Sequence, residues 1–280
     1  MSIKFVIDSA SDVLPGEAQQ LGVTVLPMQI TFGECHYADS VDLTHREFFD
    51  KLATCQELPT TSQVPPALFE EAFRDLVNGG DQVICITLSS GLSGTYQSAM
   101  IAASEFDGQV FVVDSLNATI GERILLLRGL ELAQQGMTAE QIVQTLCQDR
   151  EKIRLVAMVD TLEYLKKGGR VSSAAALAGG LLGIKPAIEV KDGKVITAGT
   201  ARGAKKANAL LESLADNYGG VNTDMPVAFV YAYDTAALEQ WVAQCPGVWP
   251  SDQALPAYSL GGTIGTHTGP GAYGVAFFAK

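Results

Sequence analysis

At 280 residues the chain is about twice the length of an ordinary domain, so two medium-sized units are expected rather than one. With 47% of its residues from the AVILMFWYC set and 18% charged, it has enough apolar side chain for a sizeable core, which excludes global disorder. Asp and Glu number 31 against 19 Lys and Arg, a formal charge of −12, and such a molecule repels phosphate backbones and anionic lipid at long range. Nucleic acid is not an expected partner.

The N-terminus turns acidic and polar after a short apolar run, too short for the core of a secretion signal, and the most apolar segment, around Leu125 to Leu127, is interrupted by Arg123 and Arg128. No transmembrane segment is expected. Five cysteines, Cys35, Cys55, Cys85, Cys147 and Cys245, are scattered without a C-x-x-C pair, which suits a reducing, cytoplasmic setting.

In chain order, strand-like runs are predicted over residues 3–7, 23–30, 83–88 and 110–113, each leading into small polar residues. Helical patterns alternate with them, beginning near Thr44, Ser93, Ala118 and Thr138. The clearest opens at Pro65-Pro66, places Leu68, Phe69, Ala72, Phe73 and Leu76 on one stripe, and stops at Asn78-Gly79-Gly80. Strand alternating with helix implies a parallel sheet covered on both faces. The second half reads differently, with strands over 155–159, 187–190, 194–198, 227–231, 257–260 and 275–278. Lys191-Asp192-Gly193 carries the Asp-Gly signal of a hairpin turn, so antiparallel pairing is expected there. Helices over 161–167, 173–182, 202–217 and 235–244 would cover that sheet. The expected fold is α/β: a parallel-sheet unit over residues 1–153, then an α+β unit with an antiparallel sheet over 154–280.

Where the first-half strands end, small hydroxyl residues recur: Asp8-Ser9-Ala10-Ser11-Asp12, Thr60-Thr61-Ser62-Gln63, and Ser89-Ser90-Gly91-Leu92-Ser93-Gly94-Thr95. In an open α/β sheet, ligands sit at the carboxyl ends of the strands, where helix N-termini favour an anion. Thr61, Ser93 and Thr95 can add hydroxyl donors to a carboxylate or phosphate. Arg170, Arg202 and His267 lie in glycine-rich segments of the second half, where local positive charge in an acidic chain suggests an anionic group. His36 and His45, in polar loop-like settings, are assigned no functional role.

Sharper motifs fail. Gly269-Pro270-Gly271-Ala272-Tyr273-Gly274 satisfies G-x-G-x-x-G but precedes a strand instead of opening a helix, so it has no basis as a dinucleotide site. No P-loop and no metal-ligand spacing occurs, and neither a cofactor nor a metal is expected. Ser93, after a strand and before a helix, resembles a nucleophile elbow, with His267 as a base and Asp8 or Asp114 to orient it. A serine-dependent acyl hydrolase or transferase is therefore the alternative reading.

Taken together, Asp8-Ser9-Ala10-Ser11-Asp12, Thr61-Ser62-Gln63, the run from Ser89 to Tyr96, the run from Glu163 to Arg170, Gly183-Ile184-Lys185-Pro186 and the run from Gly265 to Gly271 follow the order and spacing of the DegV family over nearly the whole chain. The chain resembles that family. The resemblance implies a Rossmann-like first domain, an α+β second domain, and a non-catalytic protein that binds a long-chain fatty acid. Some members are the FakB subunits, which present the bound acid to a fatty acid kinase that converts it to an acyl phosphate for phospholipid synthesis. Carried over to this sequence, the resemblance implies that Thr61 and Ser93 hold the carboxylate with His267 in the network, and that Ser62, Gly94 and Thr95 complete the ligand-binding set. Arg170 and Arg202 would act in presenting the head group or docking the kinase. A lipid is reasonable energetically, because roughly 0.8 kcal/mol per buried methylene gives a 16-carbon tail on the order of 10 kcal/mol before ordering costs.

Overall fold

The computed structural model describes residues 2–171, 183–249 and 253–280. The first half runs β1 (Ile3–Asp8), α1 (Pro15–Leu21), β2 (Val23–Leu26), β3 (Gln29–Phe32), β4 (Cys35–Ala38), α2 (His45–Thr54), β5 (Thr60–Ser62), α3 (Pro66–Asn78), β6 (Gln82–Thr87), α4 (Thr95–Ala103), β7 (Val110–Asp114), α5 (Ile120–Gln134) and α6 (Ala139–Asp149). Alternation along the strands decides how they are covered. In β1 and β6, Phe5, Ile7, Ile84 and Ile86 enter one core while Val6, Val83 and Cys85 enter another, so the sheet is buried on both faces. Its order is β2-β1-β6-β7 with every pair parallel. Helices α3 and α4 pack on one face, α5 and α6 on the other.

The second half runs β8 (Ile153–Met158), α7 (Glu163–Lys167), β9 (Ile184–Lys191), β10 (Lys194–Arg202), α8 (Ala204–Asp216), β11 (Ala228–Tyr231), α9 (Ala236–Gln244), β12 (Ala257–Ser259), α10 (Gly262–Thr268) and β13 (Tyr273–Phe278). Six of these strands form a sheet of order β10-β9-β8-β13-β11-β12, antiparallel except between β11 and β12. Period two again sorts the side chains. Val156 and Met158 join the core under α8 and α9, whereas Leu155 and Ala157 face the first half. Helix α5 lies between the two sheets, touching β1 and β6 on one side and β8, β11 and β13 on the other. That position explains why α5 is buried nearly all round instead of along one stripe. The α/β organisation expected from the sequence, parallel sheet first and antiparallel sheet second, is the one observed.

Several details differ from the expectation. The run over 23–30 is two strands, because Pro27 falls at the break: β2 belongs to the parallel sheet, and β3 turns into a separate antiparallel sheet of order β4-β3-β5. Arg202 is the last residue of β10 and not the start of a helix; Gly203, with φ of 80°, turns the chain before α8 begins. His45 opens α2 and is buried, not in a loop. The helix expected over 173–182 lies outside the described residues. Among the described residues no helix is long and apolar enough to cross a membrane.

The largest difference is α10, which the glycine-rich composition hides. Glycine and threonine are poor helix formers, and two of these glycines serve packing. A Cβ at Gly262 would lie 2.4 Å from Ile30 Cδ1, and one at Gly265 would lie 2.7 Å from Phe48 Cε1, so only glycine lets α10 press onto β3 and α2. First-half carboxylates hold its start. Asp12 Oδ1 accepts the Gly261 N–H at 2.8 Å, and Asp39 accepts the N–H groups of Gly262 and Thr263 at 3.1 and 3.2 Å. Helix α10 from near the end of the chain is thereby locked onto the first half. Replacing Asp39 by Ala strands two buried N–H donors, each hydrogen bond to a charged group being worth about 1.5–3 kcal/mol. Urea denaturation of Asp39→Ala is expected to show a loss of about 3–6 kcal/mol, and Asp39→Asn, which keeps an acceptor, a smaller one.

Candidate functional site

Between the inward face of the six-stranded sheet and the carboxyl ends of the parallel strands lies a narrow cavity. Its walls are aliphatic. Leu155, Ala157 and Val159 from β8 and the residue after it, Ile188 and Val190 from β9, and Val195 from β10 form one side, and Leu88, Leu92 and Ala118 close the other. Helix α10 runs along the cavity with Thr263, Ile264, His267 and Thr268 on the lining face, at i, i+1, i+4 and i+5.

Most of the polar lining gathers at one end, where Thr61, Gln63, Ser93, Arg170, His267 and Thr268 contribute, while Thr119 and Thr263 line the cavity elsewhere. Thr61 is central in β5, so it faces the cavity while Ser62, its neighbour by strand alternation, is exposed on the other side and does not line it. Thr61 Oγ1 and His267 Nε2 lie 2.9 Å apart in a hydrogen bond. Burial, helped by the nearby Arg170 charge, pushes the His267 pKa down to about 4, so the ring is neutral at pH 7. Its Nδ1 is buried without a hydrogen-bond partner, and a Cβ on Gly168 would sit 2.2 Å from it.

Ser93 stands in the turn before α4. Its hydroxyl bonds that of Thr95 at 2.9 Å and accepts the Thr95 N–H at 3.3 Å; Thr95 is itself fully buried, and Gly94 is the residue before the first turn of the helix. Two partners steady this turn. The Asp-Gly hairpin between β9 and β10 docks on it, Ser89 Oγ donating to Gly193 O at 2.7 Å, and Arg170 Nε donates to Leu92 O at 3.3 Å. The predicted hairpin therefore shapes the binding end as well as joining two strands. Outside this end is a second hollow that shares Thr61, Arg170 and His267 with the cavity and adds Tyr164 and Lys167. Arg202 is exposed at the end of β10 and lines neither space.

The sequence reading thus converges at Thr61, Ser93, His267 and Arg170, with Gly94 and Thr95 supporting Ser93, while Ser62 and Arg202 stand apart. The Asp8 to Asp12 cluster is no anion site. Asp8 accepts the N–H groups of Leu88 and Ala10, and burial raises its pKa to about 7; Asp12 takes the Thr119 hydroxyl and the Gly261 N–H and is raised to about 7 by the same cause. These carboxylates hold the frame of the cavity. The triad alternative finds no linkage: Ser93 bonds Thr95 and His267 bonds Thr61, while Asp8 is committed to Leu88 and Ala10 and Asp114 to the N–H groups of Ser90 and Leu116. Among the described residues no group of His, Cys, Asp and Glu is arranged to hold a metal ion. Sequence reasoning missed Gln63 and the α10 face. The spacing of Thr263, Ile264, His267 and Thr268 was the available signal, obscured by the glycines between them.

The DegV family model, described as "Uncharacterised protein, DegV family", matches residues 2–280. The chain belongs to the DegV family. A DegV domain-containing protein of Deinococcus radiodurans is 38% identical over 280 residues, covering 99% of this chain and 98% of that protein. The solved structure described as "Fatty Acid Binding of a DegV family Protein from Thermus thermophilus" superposes with a TM-score of 0.89 at 36% identity over the whole of both chains. A stearic acid-binding protein from Eubacterium ventriosum superposes with a TM-score of 0.85 at 28% identity, over all of this chain and 99% of that one.

In this DegV-family chain the packing of His267 against Gly168 makes a direct test. Gly168 has φ of −73°, which alanine accepts, so Gly168→Ala acts chiefly through the clash with the ring, with a lesser contact on the Tyr164 carbonyl. By NMR titration His267 is expected to stay neutral through pH 5–8 and to protonate near 4 in the parent. In Gly168→Ala the displaced ring should titrate closer to 6.5, the ordinary histidine value. Because the folded pKa is depressed, the unfolded chain takes up this proton first, and His267 lowers stability as pH falls from about 6.5 toward 4.

Proposed function

We propose that this protein binds a long-chain fatty acid, its tail in the aliphatic cavity and its carboxylate at the Thr61–Ser93–His267 end, and that it presents the acid to a fatty acid kinase. The observation that carries this reading is a cavity walled mostly by aliphatic side chains, with Thr61, Ser93, Arg170 and His267 grouped at one end. That pattern suits an amphiphile with one anionic head. The tail supplies affinity at roughly 0.8 kcal/mol per methylene, and the head must be met by donors or it would protonate. Thr61 and Ser93 provide hydroxyl protons. A neutral His267 can hold the Thr61 oxygen from behind so that the Thr61 proton points to the carboxylate. The fatty-acid binding described for the Thermus thermophilus and Eubacterium ventriosum proteins supports the same ligand class.

Presentation rests on the outer hollow. It reaches Thr61, Arg170 and His267 from the surface, so a carboxylate at the polar end would be open to a partner without the tail leaving its cavity. The protein then acts as a carrier, the chemistry belonging to the kinase. Acyl phosphate made in this way feeds phospholipid synthesis, and a cytoplasmic location follows from that role.

Thr61→Val and Ser93→Ala are each expected to lower fatty acid affinity about 10- to 100-fold, the loss of one charge-assisted hydrogen bond of about 1.5–3 kcal/mol, with unfolding midpoints little changed. Displacement of a fluorescent fatty acid measures this, and unaltered affinity in both variants would remove the assigned site. With a fatty acid kinase supplied, Arg202→Ala should retain its lipid but yield less acyl phosphate; loss of lipid would instead place Arg202 in binding. Labelling of Ser93 by an active-site serine probe, with ester turnover lost in Ser93→Ala, would favour the hydrolase.

A further inference from the structure

The two hydroxyls assigned to the carboxylate come from different layers of the fold. Thr61 lies in β5, which pairs with β3 and rests on α10, whereas Ser93 leads into α4, which packs on α3, β6 and β7. A carboxylate held by both needs their separation fixed, because a binding constellation tolerates only about 0.5 Å of error. Gln63 joins the two layers.

This residue directly follows β5 and, two positions beyond Thr61, lines the same cavity. Its amide lies across the first turn of α4. Gln63 Nε2 donates to Ser98 Oγ at 2.7 Å, and Oε1 lies so close to Gly94 that a Cβ there would overlap it. Ser98 is buried one turn beyond Gly94, its N–H donating to Gly94 O at 3.0 Å, so the amide touches both ends of the turn that Ser93 leads into. Gly94 has φ of −76° and ψ of 2°, which alanine also accepts, so the contact uses the missing side chain and not backbone freedom. Thr61 has its own local partner in His267, and Ser93 has one in Thr95. Gln63 relates one pair to the other.

From these contacts we propose that Gln63 is a positioning residue of the head-group site: by bridging from β5 to the first turn of α4 it fixes the separation of the Thr61 and Ser93 hydroxyls, and with it the preference for a two-oxygen carboxylate over a head with one oxygen. The inference rests on the fatty acid reading above and adds the residue that sets the geometry of that site. A direct contact between Gln63 and the ligand would require Gln63 alone. The bridge requires Ser98 as well, although Ser98 does not line the cavity.

The test uses the full-length protein and four variants: Gln63→Met, which keeps the length and loses the hydrogen bond; Ser98→Ala, which removes the acceptor away from the cavity; the two combined; and Gly94→Ala, whose methyl displaces the amide. Hexadecanoic acid and hexadecan-1-ol each compete against a fluorescent fatty acid, and thermal unfolding establishes that the variants are folded. Gln63→Met and Ser98→Ala should each weaken the acid about three- to ten-fold, as expected for one neutral hydrogen bond, and move the alcohol less than about two-fold. The double variant should bind the acid as weakly as either single one, because both changes break the same link. Gly94→Ala should follow them. Unchanged acid affinity in folded Ser98→Ala, multiplied losses in the double variant, or equal weakening of acid and alcohol overturns the bridge. If Ser98→Ala does not fold, Gln63→Met and Gly94→Ala decide by the same comparison of acid with alcohol, and if the alcohol binds too weakly to measure, the double variant decides. Failure of the parent to bind the acid is a different result: it overturns the fatty acid reading and leaves Gln63 no head group to position.

Discussion

Two buried carboxylates, Asp12 and Asp39, hold the first N–H groups of α10, and the binding end of the cavity depends on that grip. The unpaired N–H groups of a helix start cost free energy when buried, and a carboxylate answers both the missing hydrogen bonds and the positive end of the helix. Both acids come from the first half of the chain, just after the turn that follows β1 and just after β4, while α10 comes from near the end of the second. One polar contact therefore fixes the orientation of two distant segments. His267 and Thr263 reach the cavity because α10 cannot rotate away from these anchors.

The same region carries further buried charge that packing alone would not tolerate. Arg123 is fully buried, yet it donates to Asp12 O at 2.8 Å, pairs with Glu17 and lies 3.5 Å over the Tyr258 ring. Its neighbour Glu122 is equally buried, and burial among Asp8, Asp12 and Asp114 raises its pKa well above the usual carboxylate range. These groups lie on α5, between the sheets, where an apolar helix would otherwise have no directional contact with either. Arg123 adds a hydrogen bond, an ion pair and a cation–π contact to an interface otherwise held by aliphatic burial.

Neutral donors at the binding end make sense for a carrier. A lysine or arginine buried against a carboxylate would form a strong pair that resists both release and attack by a partner. In the proposed role, hydroxyls backed by an imidazole that burial keeps uncharged would hold a carboxylate more weakly and leave its oxygens chemically accessible. Arg170 contributes positive charge from the rim, where its guanidinium also bonds the backbone of Leu92 and Gly168. The aliphatic wall can then supply most of the affinity without determining how the head group is handled.

The apolar runs of β1, β6 and β8, the Asp-Gly turn between β9 and β10, and proline and glycine at the ends of α3 were legible in the sequence, because each is a local consequence of side-chain type and backbone freedom. So was the convergence of Thr61, Ser93 and His267, carried by motifs in a fixed order along the chain. Other features needed the tertiary structure. Gly262 and Gly265 look like loop residues until Ile30 and Phe48 are seen against them, and the break at Pro27 sends β3 to a different sheet only because α10 and β5 are there to receive it. Ser62 fell outside the site and Gln63 onto its wall for the same reason. A cavity is the space left between elements distant in sequence, and which side chain borders it is decided by how those elements pack, not by the identity of its neighbours along the chain.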